Sequence, residues 1–311
     1  INPAALDVDF LPLSTQRYTK EQDLLNDPEI DLVVLCTPSG LHAQQAIAAA
    51  KVHKHVLTEK PMATRWEDGL EMVAACEKAQ VQLFVVKQNR YNPTVQKIKH
   101  ALHAGYFGRI YLVHSNVFWT RPQSYYDQSP WRGTWALDGG ALMNQASHYV
   151  DLMQYLIGSV SDVQAMTATL ARKIEAEDTA VVNLRYQSGA LGAMSVTMLT
   201  YPKNLEGSIT IIGEKGTVRL GGVALNEITH WEFQDCPVTL KEAQTANYQI
   251  ASVYGQGHVA YYQNVIDNLH GIAPAEVDGR AGLQSLELLI AIYRATQQGN
   301  TVHLPLQETQ S

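Results

Sequence analysis

The sequence predicts a parallel α/β domain over residues 1–107, then an α+β domain with a large, mainly antiparallel sheet over 108–311. Three observations carry this expectation. In the first third, short apolar runs alternate with stretches of helical period, a βαβα rhythm. One run, IDLVVLCTP at 30–38, is apolar without a break, as in a parallel strand covered on both faces. After Gly108 the rhythm gives way to long strand candidates joined by glycine turns.

The elements follow in order. LHAQQAIAAAKVHK (41–54) has helical composition, and HVLTEK (55–60) is the next strand. Thr64 and Glu67 have capping-box spacing before the helix WEDGLEMVAACEKAQ at 66–80. QLFVVKQNR (82–90) is a further strand. Asn92 and Pro93 then open a helix as N-cap and first residue, and Gly105 ends it. In the second part, 109–120 and 161–172 read as long strands. Residues 178–199 and 208–222 read as hairpins turning at Ser188-Gly189 and Lys215-Gly216. Helices are expected at 141–157, near 258–270 and at 283–298.

Composition narrows the partners. With 46% hydrophobic residues, a net charge of −7 and no cluster of Lys or Arg, neither nucleic acid nor an anionic membrane is an expected partner. No apolar run reaches the roughly 18 residues of a membrane span, and no secretory signal stands at the start. Cys36, Cys76 and Cys236 are odd in number and widely spaced, which suits a reducing cytoplasm rather than a disulfide or zinc framework. Cys36, within an apolar run, reads as a packing residue.

A dinucleotide-binding α/β domain normally opens with strand, glycine-rich turn and helix. That fingerprint is not found. Gly255-Gln256-Gly257 is a lone G-x-G with no strand before it and reads as a loop. The opening INPAALD reads like the loop leaving a second strand, so a first strand, glycine turn, helix and second strand are expected to precede it.

CTPSGLH (36–42), TEKPMA (58–63) and GGALMNQASHYVDLM (139–153) resemble the Gfo/Idh/MocA oxidoreductases. The resemblance implies a Rossmann domain, incomplete at its N-terminus, and an α+β domain that binds substrate and packs subunits. It also implies NAD, with NADP not excluded, as the cofactor, and oxidation of a sugar or polyol hydroxyl. QNRYNP (88–93) and WRGTWALDGGALMNQASHYVDL (131–152) are most similar to the dehydrogenases of UDP-N-acetyl-2-amino-2-deoxyglucuronate. That likeness implies oxidation of the 3-hydroxyl of a UDP-N-acetylglucosaminuronic acid for bacterial surface polysaccharide (O-antigen or lipopolysaccharide), recycling of NADH with 2-oxoglutarate, and a homo-oligomer, dimer or tetramer. A dehydrogenase of a free polyol such as inositol, and a catalytically silent sensor on the same fold, are the alternatives.

Oxidising a secondary alcohol needs a base for the hydroxyl proton and a positive charge beside the developing alkoxide. Lys60 ends a predicted parallel strand, the edge at which such sheets bind ligands. Glu59 either orients it, meets the cofactor ribose or is a solvated turn acid, while Pro61 restricts the pair. Asn144, His148 and Asp151, spaced i, i+4, i+7, are expected on one helix face. The catalytic group is therefore Lys60, His148 and Asn144, with His148 favoured as base and Lys60 as polariser. A core His148 satisfied by Asp151 is the plainer alternative. Thr37, Pro38, His42, Glu59, Lys60 and Gln88 are expected along the cofactor, although His42 equally suits a helix N-terminus. Arg90 and Arg132, with Arg121 as a further candidate, would meet phosphate and carboxylate. Trp131, Trp119, Tyr125 and Tyr126 would stack on sugar or base if they are not simply packed. Asn144 and His148 face the substrate, and Tyr262 and His258 close the pocket from a late helix. His53 and His55, flanking Lys54 with no carboxylate set, read as surface residues rather than metal ligands.

Overall fold

The computed structural model describes residues 15–250 and 255–307. The expected strand-exit loop at 1–7 lies outside the described residues.

Ahead of the first sheet is a short α1 (Glu21–Leu25). Three parallel strands follow, β1 (Leu32–Leu35), β2 (His55–Thr58) and β3 (Leu83–Val85), in the order β1-β2-β3. They alternate with α2 (His42–Lys51) and α3 (Trp66–Ala79). Leu35 pairs with Thr58, and Thr58 with Val85, so the three strands end level. The segments that leave them, Cys36-Thr37, Glu59-Lys60 and Val86 to Gln88, therefore emerge side by side at one sheet edge. β2 and β3 are buried almost throughout. β1 is not covered on both faces as expected: it is an edge strand among the described residues, and Val34 is 44% exposed.

α4 (Pro93–His103) leads from this sheet to the second one. That sheet comprises β4 (Ile110–Phe118), β5 (Val160–Ala168), β6 (Thr179–Tyr186), β7 (Leu191–Thr197), β8 (Glu206–Gly213), β9 (Gly216–Gly221), β10 (Glu227–Phe233) and β11 (Val302–His303). The order is β10-β9-β8-β4-β7-β6-β5-β11, antiparallel except where β4 runs parallel to β7. Burial alternates along β6 and β7, leaving one face on the core and one outward. Helices α5 (Gln123–Asp127), α6 (Ser147–Ile157), α7 (Leu240–Ala243), α8 (His258–Leu269) and α9 (Gly279–Gln298) complete the chain. α9 joins the halves, packing on β5 and β11 as well as α3, α6 and β3. Among the described residues no helix is long and apolar enough to cross a membrane.

The first hairpin turns through Ser188-Gly189 as expected, and the second turns at Glu214-Lys215, one residue before the expected Lys215-Gly216, because β9 already begins at Gly216. Three local expectations fail for physical reasons. The Thr64 hydroxyl donates to the Ala136 carbonyl at 3.3 Å instead of capping α3, whose N-cap is Arg65. α9 begins at Gly279, because Asp278 caps it by accepting the Ala281 N–H at 2.8 Å. Gly279 and Gly282 then let the helix lie on Leu83 and Val85, so small residues hide its first turn from a hydrophobic pattern. The helix expected from 141 starts only at Ser147. Residues 141–146 form a wide turn, closed by the Ala146 N–H on the Ala141 carbonyl at 2.8 Å, five residues back. Gly139 enters that turn at φ +80°.

The two sheets are tied near their functional edge by Gly40, whose N–H donates to the Leu137 carbonyl at 3.2 Å. A Cβ at Gly40 would lie 1.8 Å from the Ala136 carbonyl oxygen. Gly40→Ala is therefore expected to cost about 1–3 kcal/mol as an overpacked contact. A denaturant midpoint equal to the parent's would refute that close approach.

Candidate active site

Lys60 leaves β2 at the level edge and crosses to the wide turn before α6. Its Nζ donates to the Asn144 backbone carbonyl at 2.8 Å and to Asn144 Oδ1 at 3.2 Å. Two of its three N–H donors are thus committed and one is left. The Asn144 amide is itself held, its Nδ2 donating to Asp138 Oδ1.

Two cavities meet at this point. One, of about 610 Å³, is lined from the parallel sheet by Cys36, Thr37, Pro38, Glu59 and Gln88, with Trp131, Asp138 and His258 opposite. The other, of about 390 Å³, is lined by Trp119, Thr120, Arg121, Tyr125 and Gln145, among others. Lys60, Asn144 and His148 line both.

His148 sits in the first turn of α6, buried, with its Nε2 3.2 Å from Gln88 Nε2. With the amide donating, the ring proton sits on Nδ1 and Nε2 is the basic atom. His148 Nδ1 and Gln88 Oε1 are buried with no protein partner. Asp151, one turn on, does not serve His148. Its carboxylate accepts from Arg90 Nε at 2.8 Å, Arg90 Nη2 at 2.6 Å and the Ser285 hydroxyl at 2.5 Å, with Lys87 Nζ at 3.8 Å.

The charges follow from these contacts. Burial lowers the Lys60 pKa to about 8, with Glu59 and Asp138 pulling the other way. Burial, then the positive charges of Lys60 and Lys87, hold His148 well below its ordinary value. Near neutrality His148 is a neutral base beside a largely charged Lys60. Burial alone would raise Asp151, but Arg90 and Lys87 outweigh it and keep the carboxyl below the usual range.

Several expectations shift with this geometry. Asn144 precedes α6, so it does not share a helix face with His148 and Asp151. The wide turn brings it to Lys60 by another route. Arg90 does not reach either cavity: its guanidinium is locked on Asp151 and stacked over Tyr155 at 4.7 Å. Arg132 is likewise engaged elsewhere, donating to the Tyr125 carbonyl at 2.8 Å and stacking on the Tyr125 ring at 4.1 Å. Arg121 lines the second cavity instead, between Trp119 and Tyr125 at 5.5 and 5.4 Å from their ring centres. Tyr126 is buried. Tyr262 lines neither cavity, although Glu59 lies within its electrostatic reach.

His42 is fully buried, its Nδ1 3.0 Å from the Pro61 carbonyl and its Nε2 2.9 Å from that of Thr37. It stitches the turn after β1 to the turn after β2. Cys36 is not a packing residue: β1 ends at Leu35, and the exposed Cys36 lines the first cavity. His53 and His55 meet backbone groups of the segment entering β3. Lys87 and Asp138 were missed, although each left a signal. A lysine closing the apolar run LFVV needs a buried counter-charge, and an acid directly before Gly139-Gly140 is poised at a turn.

The parallel-sheet cavity fits a nicotinamide. It lies at the carboxyl edge of the strands, and its lining includes Gln88 and His148, each with one buried polar atom that has no protein partner. Replacing the acid of the buried network tests its role in placing α6. Asp151→Asn leaves Arg90 and Lys87 without their counter-charge and is expected to cost about 3–5 kcal/mol, read by denaturant unfolding at pH 7. The contribution of Asp151 is present above the ordinary carboxylate pKa and fades as pH falls toward its depressed value. Equal stabilities at pH 7 would show that the network contributes nothing.

Residues 9–87 match the oxidoreductase family (GFO/IDH/MocA), NAD-binding Rossmann fold, and residues 99–304 match its C-terminal alpha/beta domain. The WlbA dehydrogenase of Bordetella pertussis, solved with NADH and UDP-GlcNAcA, is 59% identical with a TM-score of 0.90. The alignment covers 93% of this chain and 84% of that one. The WlbA dehydrogenase of Chromobacterium violaceum, also solved with NADH and UDP-GlcNAcA, is 59% identical with a TM-score of 0.89, covering 94% and 82%. Myo-inositol 2-dehydrogenase of Thermotoga maritima is 26% identical over 295 residues, 92% of this chain and 84% of the relative. With both halves matched, the chain belongs to the GFO/IDH/MocA oxidoreductase family.

Proposed function

We infer that this chain is an NAD-dependent dehydrogenase that oxidises the 3-hydroxyl of UDP-GlcNAcA. The observation that carries the reading is the meeting of two cavities at Lys60, Asn144 and His148. A cofactor in one and a sugar in the other would share that junction. The substrate side suits a nucleotide-linked acid: Arg121, backed by the rings of Trp119 and Tyr125, supplies a cation, and Thr120, Ser124, Gln128 and Gln145 supply hydrogen-bonding groups. A free polyol has no charge for Arg121 to meet.

Thr37, Pro38, Glu59 and Gln88 would hold the cofactor, which accepts the hydride when bound. The remaining N–H of Lys60 donates to the reacting hydroxyl and stabilises the developing alkoxide. Neutral His148 takes the proton on Nε2, with the lone pair that Gln88 otherwise engages. Asn144 restrains Lys60 while this happens.

The sidedness of the reaction gives a pH test. Charged Lys60 is present below its pKa of about 8, so kcat is expected to fall as pH rises through that value. A kcat that rises there instead would make Lys60 the base. Lys60→Ala and His148→Ala should each lower kcat about 10²- to 10⁴-fold while NADH binding, followed by fluorescence, is retained. Arg121→Ala should raise KM for the UDP sugar more than it lowers kcat. Incubation with NAD and UDP-GlcNAcA, UDP-GlcNAc or myo-inositol decides the substrate. Oxidation of inositol alone would overturn the nucleotide-sugar reading.

Three wider expectations belong to the same reading. The three free cysteines suit a reducing cytoplasm. The outward sheet face carries Met166 beside Val181, and Leu112 between Leu191 and Ile212, all exposed, which supports a homo-oligomer packed through that face. Recycling of NADH by 2-oxoglutarate and a place in surface polysaccharide synthesis rest on family resemblance.

A further inference from the structure

We propose that Asp138 is a positioning residue that orients Asn144 as an acceptor for Lys60 and also supplies a counter-charge that keeps Lys60 in its hydrogen-donating form. The inference deepens the dehydrogenase reading and rests on it for the role of Lys60. Asp138 is 1% exposed and lies in the turn that precedes Gly139. Its Oδ2 accepts the Gly133 N–H at 2.7 Å, which fixes the carboxylate. Its Oδ1 accepts Asn144 Nδ2.

An amide has a donor end and an acceptor end. With Nδ2 claimed by a group that can only accept, Asn144 must turn Oδ1 toward Lys60, where it receives Nζ at 3.2 Å. A reversed amide would set its oxygen against a carboxylate and its NH₂ against an ammonium. The carboxylate thereby converts a rotatable side chain into a one-way acceptor for Lys60.

Charge adds to orientation. The groups facing Lys60 are Glu59 on its own strand end, Asp138 on the facing turn, Lys87 beyond β3, Arg121 beyond β4 and His148 on α6. Both cations and the burial of Lys60 favour its neutral form; Glu59 and Asp138 oppose them. Asp138 in turn faces Lys60 and Arg132 besides its two hydrogen-bond donors, Gly133 and Asn144. A neutral acceptor at 138 could receive one of those hydrogen bonds but would supply no counter-charge.

The test reads Lys60 directly. Acetic anhydride labelling of Lys60 across pH, quantified on its peptide by mass spectrometry, needs neither substrate nor cofactor. The parent should show a midpoint near 8. Asp138→Asn should move it down by roughly one pH unit, and the kcat limb should move with it, whichever way that limb runs. An unmoved midpoint in folded Asp138→Asn overturns the proposal. Asp138→Glu keeps the charge but displaces its contact with Asn144, so it should retain the midpoint and lose at least about tenfold in kcat. If Asp138→Asn does not fold, Asp138→Glu decides, and any other combination of midpoint and kcat overturns the proposal. Failure to turn over UDP-GlcNAcA would sink the substrate assignment while leaving the labelling result standing.

Discussion

An ammonium drawn out of water must be met by acceptors, and Lys60 meets its acceptors across the chain's main division. The donor stands at the end of β2, and the acceptors are the carbonyl and side chain of Asn144, 84 residues away. The turn that carries Asn144 can present both only because it is not helical, since a regular helix would claim the carbonyl for a residue four positions on. The late start of α6 is therefore a condition for this contact. The level ends of β1, β2 and β3 put the lysine at the same edge as Thr37, Gln88 and the larger cavity.

Electrostatics divides this region into two layers. Behind α6 the acid Asp151 is surrounded by Arg90, Lys87 and Ser285, a closed set that satisfies itself. In front, Lys60 is bonded but still carries a free donor, while His148 and Gln88 each keep a buried polar atom without a protein partner. Buried polar atoms are normally paired, so these two set the residues lining the larger cavity apart from the closed set around Asp151. Burial, with the charges of Lys60 and Lys87, keeps His148 unprotonated, and Asp151, engaged with Arg90 and Lys87, makes no hydrogen bond that would offset them.

Much of this was legible in sequence because it follows from period and punctuation. The parallel strands, both hairpins and the α/β-to-antiparallel change each leave a local pattern. Lys60 and His148 were recognisable through motif spacing. What stayed hidden depends on partners far apart in the chain. Arg90, in the run QNRYNP, looks like a ligand arginine until Asp151 is found against it. Arg121 and Arg132 are indistinguishable by type, and only the fold of residues 119–135 decides which lines the cavity. Asn144 lies beside Lys60, but not by the helical spacing that suggested it, because a spacing of four residues cannot reveal the wide turn that the Gly139 backbone introduces.

The same contrast separates catalysis from recognition within the site. On the proposed reading, the groups at the junction of the two cavities come from the ends of regular elements: Lys60 after β2, Gln88 after β3 and His148 in α6. These are positions that packing holds closely. The substrate-side groups come from the irregular segment after β4, where Thr120 donates to the Thr200 carbonyl at 2.7 Å and the Trp119 indole donates to Val223 at 2.9 Å. Those bonds anchor the segment to the connections that follow β7 and β9 and not to Lys60 or His148. The Arg121 sandwich between Trp119 and Tyr125 can therefore change in shape without breaking a hydrogen bond to Lys60 or His148, although its charge is felt at Lys60. On the proposed reading, loop residues on a rigid scaffold would set which sugar is admitted, and the two sheets, joined through Lys60 and Asn144, would set what is done to it.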